Sequence, residues 1–289
     1  MPEVSIIIPA HNEAAVIGRL LRGLFTDADA APAGTLEVVV VANGCTDDTV
    51  VVAESFAEHG VRVIDTSMPG KANALNLGDD AATTLPRLFV DADVMLSGRD
   101  ALKVAEALRV DEPRAAAPAI RFALDDRPWA VRAFYRTWSA LPYVRSGLVG
   151  SGCYGVSAAG RAAFDRFPKL TADDAFVRLT FTPDQRCIVR DATFTVTPPT
   201  TLAGIVDIKT RSHFGNRELK HNDAERFDNE GESHRSALLK RAANPLHWPA
   251  LAVYLHVMIA AKLRAKRRWQ SGDHARWERD ESSRTPVAT

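Results

Sequence analysis

The first hundred residues alternate short apolar runs with longer segments whose apolar residues recur at helical spacing. Val4–Ile8 and Leu36–Val41 are rich in β-branched residues, as strands buried on both faces usually are. Between them, Glu13–Phe25 carries apolar residues at the spacing of one helix face. A strand buried on both faces needs helices on both sides of its sheet. The alternation therefore predicts an α/β fold with a doubly wound, mostly parallel sheet.

The same patterns give a coarse map of the elements along the chain. In the first half we predict strands at Val4–Ile8, Leu36–Val41, Val61–Ile64 and Leu88–Val90, and helices at Glu13–Phe25, Thr46–His59, Lys71–Ala82 and Asp100–Leu108. In the less regular second half we predict strands at Ala115–Ile120 and Cys187–Val189, a helix at Trp129–Ala140 and a glycine-rich stretch at Gly147–Gly155. Lys220–Arg241 is heavily charged and is interpreted as a solvated helix or a mobile segment.

Charge and cysteine content exclude several classes of protein. The 289 residues include 36 Lys and Arg and 36 Asp and Glu, so there is no basic excess for binding nucleic acid. Cys45, Cys153 and Cys187 are too few and too scattered for a disulfide framework or a CxxC zinc site. The N-terminus lacks the basic and apolar regions of a signal peptide. We expect a cytoplasmic protein, or one bound at the inner face of the membrane.

Polar clusters follow each of the first four predicted strands. They are Pro9–Glu13, Asn43–Thr49, Asp65–Lys71 and Asp91–Asp93. Because ligands of open α/β sheets bind at the carboxyl ends of the strands, these clusters predict a binding site at one edge of the sheet.

The Asp91–Ala92–Asp93 segment is the clearest candidate for cation chemistry. Two carboxylates one residue apart after a strand can face the same polar ligand if the chain turns there. Mg²⁺ is commonly held by one or two carboxylates together with substrate phosphates. A solvent-exposed acidic loop could have the same sequence. The neighbouring motifs are therefore needed to distinguish a cation site from such a loop.

Those motifs resemble family 2 glycosyltransferases, the large inverting group with the GT-A fold. The segments that carry the resemblance are SIIIPAHNE from Ser5, VANGCTDDT from Val41, GKANALNLG from Gly70 and FVDADV from Phe89. The resemblance is close over about the first hundred residues and looser through Gly150–Gly155 and Thr171–Phe176. The QxxRW signature of processive synthases is absent, which favours addition of a single sugar.

The resemblance implies a nucleotide-sugar site along the strand ends. Its residues would be Pro9, Ala10, His11, Asn12, Glu13, Asn43, Gly70, Lys71, Asn73, Asp91, Ala92 and Asp93. In the family an acidic pair contacts the base and ribose, whereas this chain has Ala42 and Asn43. An asparagine can accept from uracil and can also donate to another base. A UDP-sugar is therefore favoured, and the base is left open.

The resemblance also implies the roles of individual side chains in catalysis. Asp93 would bind a divalent metal, Mg²⁺ or Mn²⁺, directly, and Asp91 would reach the ribose or reach the metal through water. Asp174 would be the general base and Asp173 would orient the loop or the acceptor. Gly150, Ser151 and Gly152 would line the donor-sugar and acceptor side, and Arg211 and His213 the diphosphate side.

The predicted domain organisation is a catalytic domain followed by a helical segment and a tail. Residues 1–235 form the GT-A domain, with 1–100 on the nucleotide side and 101–235 on the acceptor side. Residues 236–270 form a helical segment, and 271–289 a disordered tail. Pro245–Ala261 is apolar, and five basic residues follow in Lys262–Arg268. A helix packed on the domain, an interfacial membrane helix over 245–269 and a membrane span all fit this pattern.

Three other functions compete with glycosyl transfer. A sugar nucleotidyltransferase would carry a GxGxRxxP-like loop after the first strand, which Pro9–Glu13 does not contain. A dinucleotide oxidoreductase would carry GxGxxG there. A non-catalytic nucleotide-sugar-binding protein would have no need of both Asp93 and Asp174. The acceptor would offer a hydroxyl, on a lipid-linked sugar or a saccharide, and the sugar transferred is left open.

Overall fold

The computed structural model describes residues 1–110, 114–142, 144–145, 152–223 and 235–272. The strands are β1 (Val4–Ala10), β2 (Leu36–Asn43), β3 (Val61–Thr66), β4 (Arg87–Val90), β5 (Met95–Leu96), β6 (Ala115–Phe122), β7 (Cys153–Val156) and β8 (Arg186–Val196). The helices are α1 (Ile17–Phe25), α2 (Thr49–Glu54), α3 (Lys71–Ala81), α4 (Gly98–Val110), α5 (Trp129–Trp138), α6 (Ala158–Arg161), α7 (Asp173–Thr180), α8 (Leu202–Asn222), α9 (Arg235–Ala242) and α10 (Trp248–Gln270).

The described strands form one mixed sheet in the order β3-β2-β1-β4-β7-β6-β8-β5. Strands β1 to β4 pair in parallel, so their carboxyl ends share one edge. Strand β7 then runs antiparallel to β4, bringing a chain from the second half beside the end of β4. This mixed sheet, flanked by helices and followed by a C-terminal helix, agrees with the predicted α/β architecture.

Strand β1 shows why the apolar runs are continuous. Ile6 and Ile8 are fully buried in a core shared with α1, while Ile7 is fully buried in a second core with Leu75 of α3. Successive side chains of a strand point to opposite faces, so helices on both sides make every position of β1 an interior one. The sheet is thereby held at the centre of the molecule.

Several predicted boundaries differ from the observed ones, for local reasons. Helix α1 begins at Ile17 rather than at Glu13, because Glu13 lies in a turn where its amide donates to the Thr49 hydroxyl (2.7 Å). The predicted helix Thr46–His59 is the shorter α2 and a separate 3₁₀ turn. Strand β8 extends well beyond Cys187–Val189, and the two-residue β5 was not predicted.

Parts of three predicted segments lie outside the described residues. They are residues 147–151 of the glycine-rich stretch, 224–234 of the charged stretch and 273–289 of the tail. The charged stretch otherwise contains the end of α8 and most of α9.

Helix α10 continues through both the apolar and the basic part of the C-terminal segment. Its buried side packs Tyr254, Val257 and Ala261 against α5 and α8, and Tyr254 stacks on Phe134 (5.6 Å between ring centroids). Within the described residues, Pro245–Gln270 is the one stretch long and apolar enough to cross a membrane by length and composition alone. Most of that stretch is exposed rather than buried in the protein.

The close contact of α3 with the sheet depends on Gly78. A Cβ added there would lie 2.4 Å from Ile7 Cγ2 and 3.2 Å from Val41 Cγ2. We expect Gly78→Ala to destabilise the protein by about 1–2 kcal/mol, since overpacking outweighs the gain in helix propensity. Urea unfolding measures the change. Gly18→Ala in α1 is the matched control, because the nearest contact of a Cβ added there is 3.3 Å, to Val52. Equal losses of unfolding free energy in the two variants would contradict this explanation.

Candidate functional site

The carboxyl ends of β1, β2 and β4 meet the amino ends of α3 and α7 at one edge of the sheet. At the centre lies Lys71, the first residue of α3. Its Nζ is 2.7 Å from Asp91 Oδ1, after β4, and 2.9 Å from Asp173 Oδ1, in the first turn of α7. One ammonium thus joins the two halves of the chain.

Asp173 is the most buried member of this triad, since the Lys71 and Asp91 side chains are 25% and 36% exposed. The Asp173 side chain is 7% exposed, and its Oδ2 accepts a hydrogen bond from the Tyr154 hydroxyl of β7 (3.1 Å). Burial raises the pKa of Asp173, although the Lys71 charge opposes the change. Burial would by itself lower the pKa of Lys71, but Asp173 and Asp91 outweigh it and hold the ammonium charged.

Both polar atoms of the Asn43 side chain form hydrogen bonds within the protein. Its Nδ2 donates to the Ala10 carbonyl (2.7 Å), and its Oδ1 accepts from the Gly70 amide (3.0 Å). These partners determine the amide orientation, because a carbonyl can only accept and an N–H can only donate. An aspartate could not donate to Ala10. Asn43 therefore ties β1, β2 and the start of α3 together.

The turn after β1 is held by its own polar side chains. The Nδ1 of His11 donates to the Asn43 carbonyl (2.6 Å). Asn12 has a φ of 54°, a conformation that asparagine tolerates better than most residues, and its Oδ1 accepts from the Thr46 amide (2.7 Å). With the Glu13–Thr49 bond, these contacts join the two polar clusters predicted after β1 and β2.

The Asp91–Ala92–Asp93 turn follows β4 directly. Ala92 is buried, whereas Asp91 and Asp93 are half-buried on either side of it. The Asp91 amide donates to the Gly152 carbonyl (2.8 Å), and the Asp93 carbonyl accepts from Arg19 (3.1 Å). Gly152 has a φ of 102°, and a Cβ there would lie 2.8 Å from Val94. The second half of the chain thus approaches this turn closely.

Asp174 lies beside Asp173 in the first turn of α7. Its Oδ1 accepts from the Ala175 amide (2.7 Å). Helix α8 supports the preceding loop, where Glu218 accepts from the Thr171 amide (2.8 Å) and a Cβ on Gly215 would lie 2.8 Å from Ala172. The acidic pair therefore occupies a helix start, where carboxylates are favourable, and packing holds it in place.

Helix α8 adds Lys209, the first residue of the cationic segment Lys209–Arg217 that contains the predicted Arg211 and His213. Its Nζ lies 3.5 Å from the centroid of the Trp138 ring. Burial lowers the pKa of Lys209 to about 7, and Asp174 opposes the change. One turn further on, burial and the charges of Lys209 and Lys262 lower the pKa of His213. In the sequence, Lys209 is one residue of a charged stretch. Its electrostatic interaction with Asp174 depends on how α5, α7 and α8 pack together.

The other predicted site residues are placed as follows. Pro9 and Ala10 end β1, Gly70 precedes α3, Asn73 is half-buried in the first turn of α3, and Arg211 is half-buried on α8. Gly150 and Ser151 lie outside the described residues. Within the described part, no group of three or more His, Cys, Asp or Glu side chains is arranged to hold a metal.

The role of Lys71 in stability can be measured directly. Lys71→Met would leave Asp173 buried without its cation, so we expect a loss of about 2–3 kcal/mol in the free energy of unfolding. Asp91 is partly exposed, which keeps the loss below that of a fully buried pair. Urea unfolding measures the change.

Lys103→Met provides the control for this measurement. Lys103 pairs with Asp100 at the surface (3.2 Å), and its removal should cost less than about 1 kcal/mol. Similar losses in both variants would mean that the triad contributes no more than a surface pair.

Comparison with known proteins identifies the family of this chain. Residues 5–167, more than half of the chain, match the model of Glycosyl transferase family 2. A 4,4'-diaponeurosporenoate glycosyltransferase of Staphylococcus aureus (strain MRSA252) is 37% identical over 103 residues. That match covers 35% of this chain and only 26% of the relative, so the chain corresponds to about a quarter of that protein.

Solved structures share the fold at low sequence identity. The Pyrobaculum calidifontis mannosyltransferase PcManGT, in complex with GDP-Man and Mn²⁺, has a TM-score of 0.59 at 20% identity, over 96% of this chain and 76% of its own. S. aureus TarS 1–349 in complex with UDP has a TM-score of 0.52 at 15% identity, over 98% and 95%. The predicted family and the GT-A fold are thus confirmed: the chain belongs to glycosyl transferase family 2.

Proposed function

We propose that this chain transfers one sugar from a nucleotide donor, a UDP-sugar by preference, to an acceptor hydroxyl with inversion at the anomeric carbon. The observation that carries the proposal is the Lys71 bridge between Asp91, on the donor side, and Asp173, next to Asp174. This bridge supports a single site that would contain both the proposed donor motif and the candidate base. The predicted domain, residues 1–235, would contain this whole site.

Asp174 would act as the general base. As the acceptor oxygen attacks the anomeric carbon, its proton passes to the Asp174 carboxylate. The bond from that carbon to the diphosphate oxygen breaks, and both of its electrons leave with the nucleoside diphosphate. Attack from the face opposite the leaving group inverts the configuration. Asp173 would keep the start of α7 in position through Lys71 and Tyr154.

The residues after β4 fit a divalent cation such as Mg²⁺ or Mn²⁺. Such ions need only one or two protein carboxylates when substrate phosphates supply further oxygens, so a larger cluster is not required. Asp93 would hold the ion, and Asp91, already paired with Lys71, would reach the ribose or reach the ion through water. The cation would neutralise charge developing on the diphosphate. Gly152, Arg211 and His213 would complete the donor-sugar and diphosphate sides.

The nucleotide would lie along the turn after β1 and the end of β2. Two similar structures hold different bases, since PcManGT is bound to GDP-Man and TarS 1–349 to UDP. The Asn43 amide is already bonded to Ala10 and Gly70. Other groups would therefore have to discriminate between bases, and His11 is an exposed polar side chain on that turn.

The exposed side of α10 suits contact with a membrane surface. Trp248, Leu255, Ile259 and Leu263 recur at helical spacing and are 42–58% exposed. Lys262, Lys266 and Arg267 are exposed beside the end of this row. The other two basic residues are engaged, since Arg264 pairs with Asp207 (2.8 Å) and Arg268 is buried over the Phe214 ring.

We therefore propose that α10 lies on an anionic membrane surface, the inner face of the cytoplasmic membrane. Apolar side chains would enter the headgroup boundary, and the three exposed cations would meet anionic lipids. The acceptor would then be a hydroxyl on a lipid-linked sugar. Packing of α10 on α5 and α8 favours this arrangement over a membrane span, because a span would remove Tyr254 and Val257 from their core.

The cation site is tested with Asp93→Asn. We expect the variant to fold normally and to lose the Mn²⁺-dependent thermal stabilisation by UDP, because the amide lacks the charge that holds the ion. Asp184→Asn, at an exposed position away from the site, is the matched control. Unchanged Mn²⁺ dependence in Asp93→Asn would rule out the direct-ligand role.

The base is tested with Asp174→Asn. Turnover should fall at least about 100-fold, the usual contribution of a positioned general base. The affinity for UDP should change little, because the base acts on the acceptor. Steady-state kinetics and calorimetry separate the two effects, and a large loss of UDP affinity would instead make Asp174 a binding residue.

The membrane contact is tested by changing Lys262, Lys266 and Arg267 to Gln. Binding to phosphatidylserine-containing vesicles should weaken about 100-fold, since each charge contributes about 1 kcal/mol near the surface. Arg62, Arg99 and Arg166 changed to Gln form the control, with the same loss of charge outside α10. Vesicle sedimentation measures both, and no binding by the wild-type protein would refute the proposal.

A further inference from the structure

The turn between α9 and α10, residues 243–248, carries exposed apolar side chains at the amino end of α10. Leu246 is 86% exposed, and Leu239, in the last turn of α9, is 71% exposed. Apart from the terminal Met1, no large hydrophobic side chain in the described ranges is more exposed than these two. Together with Trp248 they are called the apolar corner here. Exposed apolar groups of this kind mark a surface that contacts a partner.

The backbone of this turn already has partners for its hydrogen-bond donors. Pro245 has no N–H, and each of the other residues from 243 to 248 donates its amide within the protein. The amides of Ala243, Asn244, His247 and Trp248 donate to the carbonyls of Leu239 (3.1 Å), Arg241 (3.2 Å), Asn244 (3.0 Å) and Pro245, and the Leu246 amide donates to Asn244 Oδ1 (3.1 Å). The turn can therefore leave water without exposing an unpaired N–H to an apolar medium.

The indole of Trp248 is prepared in the same way. Its Nε1 donates to the Ala242 carbonyl at the end of α9 (2.9 Å), so the one polar group of the ring is bonded inside the protein. Helix α9 is itself attached to the molecule, because Ala237 and Leu238 pack against the core that α5, α8 and α10 share. The corner is thus held on a supported frame while its apolar side chains face away from it.

The charge of the surrounding segment indicates the kind of partner. Residues 235–270 contain eight Lys or Arg and no Asp or Glu, although the whole chain has equal numbers of acidic and basic residues. Lys240 is exposed next to Leu239. A second copy of the chain docked symmetrically on this surface would bring cations against cations, with no carboxylate on the segment to pair with them. An anionic lipid surface offers both the apolar medium and the opposite charge.

We propose that the apolar corner inserts into an anionic phospholipid bilayer more deeply than the rest of α10 and anchors the amino end of this helix. The inference rests on the membrane contact proposed above for α10. It adds to that contact an apolar component that salt does not screen. Insertion would reach the boundary between headgroups and acyl chains, where the exposed Lys240 and Asn244 beside the corner can still contact water and headgroups.

The anchor is tested with the double variant Leu239→Ser and Leu246→Ser. Its binding to phosphatidylserine-containing vesicles should be at least about tenfold weaker than that of the wild type, since two apolar side chains no longer leave water. The difference should persist at about 1 M NaCl, where the wild type should keep part of its binding, because salt screens charges and not apolar insertion. Val51→Ser with Met68→Ser, at two exposed apolar positions on other parts of the chain, is the matched control.

A depth measurement distinguishes insertion from contact at the surface. A nitroxide spin label is attached to Leu246→Cys or to Leu263→Cys after Cys45 and Cys187 have been replaced by Ser, since Cys153 is fully buried. On vesicles, the label at position 246 should be accessible to oxygen, which dissolves among acyl chains, and protected from a water-soluble nickel complex. The label at position 263 should lie closer to water. A label at 246 that the nickel complex still reaches on the bound protein would overturn the inference.

The outcomes separate the anchor from the membrane contact on which it rests. Absence of vesicle binding by the wild type would overturn both. Undiminished binding by the double Ser variant, with weakened binding when Lys262, Lys266 and Arg267 are changed to Gln, would overturn only the anchor. A dimer in solution that Leu246→Ser dissociates, without vesicle binding, would assign the corner to a second copy of the chain and would also overturn the inference.

Discussion

One ammonium group between two carboxylates organises this molecule. Lys71 draws Asp91 from the end of β4 and Asp173 from the start of α7 to within 3 Å of one atom. Desolvation makes each charge costly alone, so all three have to be assembled together. Together with the pairing of β4 and β7, the triad thereby fixes the position of the second half of the chain on the parallel half. Asp93 and Asp174 are close in sequence to Asp91 and Asp173, so the triad also restricts their positions.

The sheet makes this assembly possible by bringing the strand ends to one edge. Helix α3 lies close to β1 and β2 because Gly78 has no side chain to hold them apart. The same helix begins with Lys71, and the amide before it is bound by Asn43. Packing in the interior and polar contacts at the edge therefore position the same helix from its two ends.

Much of the parallel half could be predicted because its signals are local. Continuous apolar runs, apolar residues at helical spacing and polar residues after each strand all reflect which positions are buried. Each of these patterns can be recognised within one short segment, without knowledge of its tertiary contacts. The partners within the site could not be predicted in this way. Lys71 and Asp173 are distant in sequence, and the Asn43 amide looked available for a nucleotide until its contacts with Ala10 and Gly70 were known. Lys209 gained its surroundings only from the packing of three helices.

The attachment of α10 has a geometric consequence for any acceptor. One side of the helix is joined to α5 and α8 by Tyr254 stacking on Phe134, by Arg264 pairing with Asp207 and by Arg268 over Phe214. Its opposite side carries the exposed apolar row. A surface bound there would meet the catalytic edge at a fixed height and tilt, because these contacts hold α10 against its supporting helices along its length. In the proposed reaction, distance from that surface would then decide which acceptors are used: hydroxyl groups at that height would reach the site, and those closer to the surface would not.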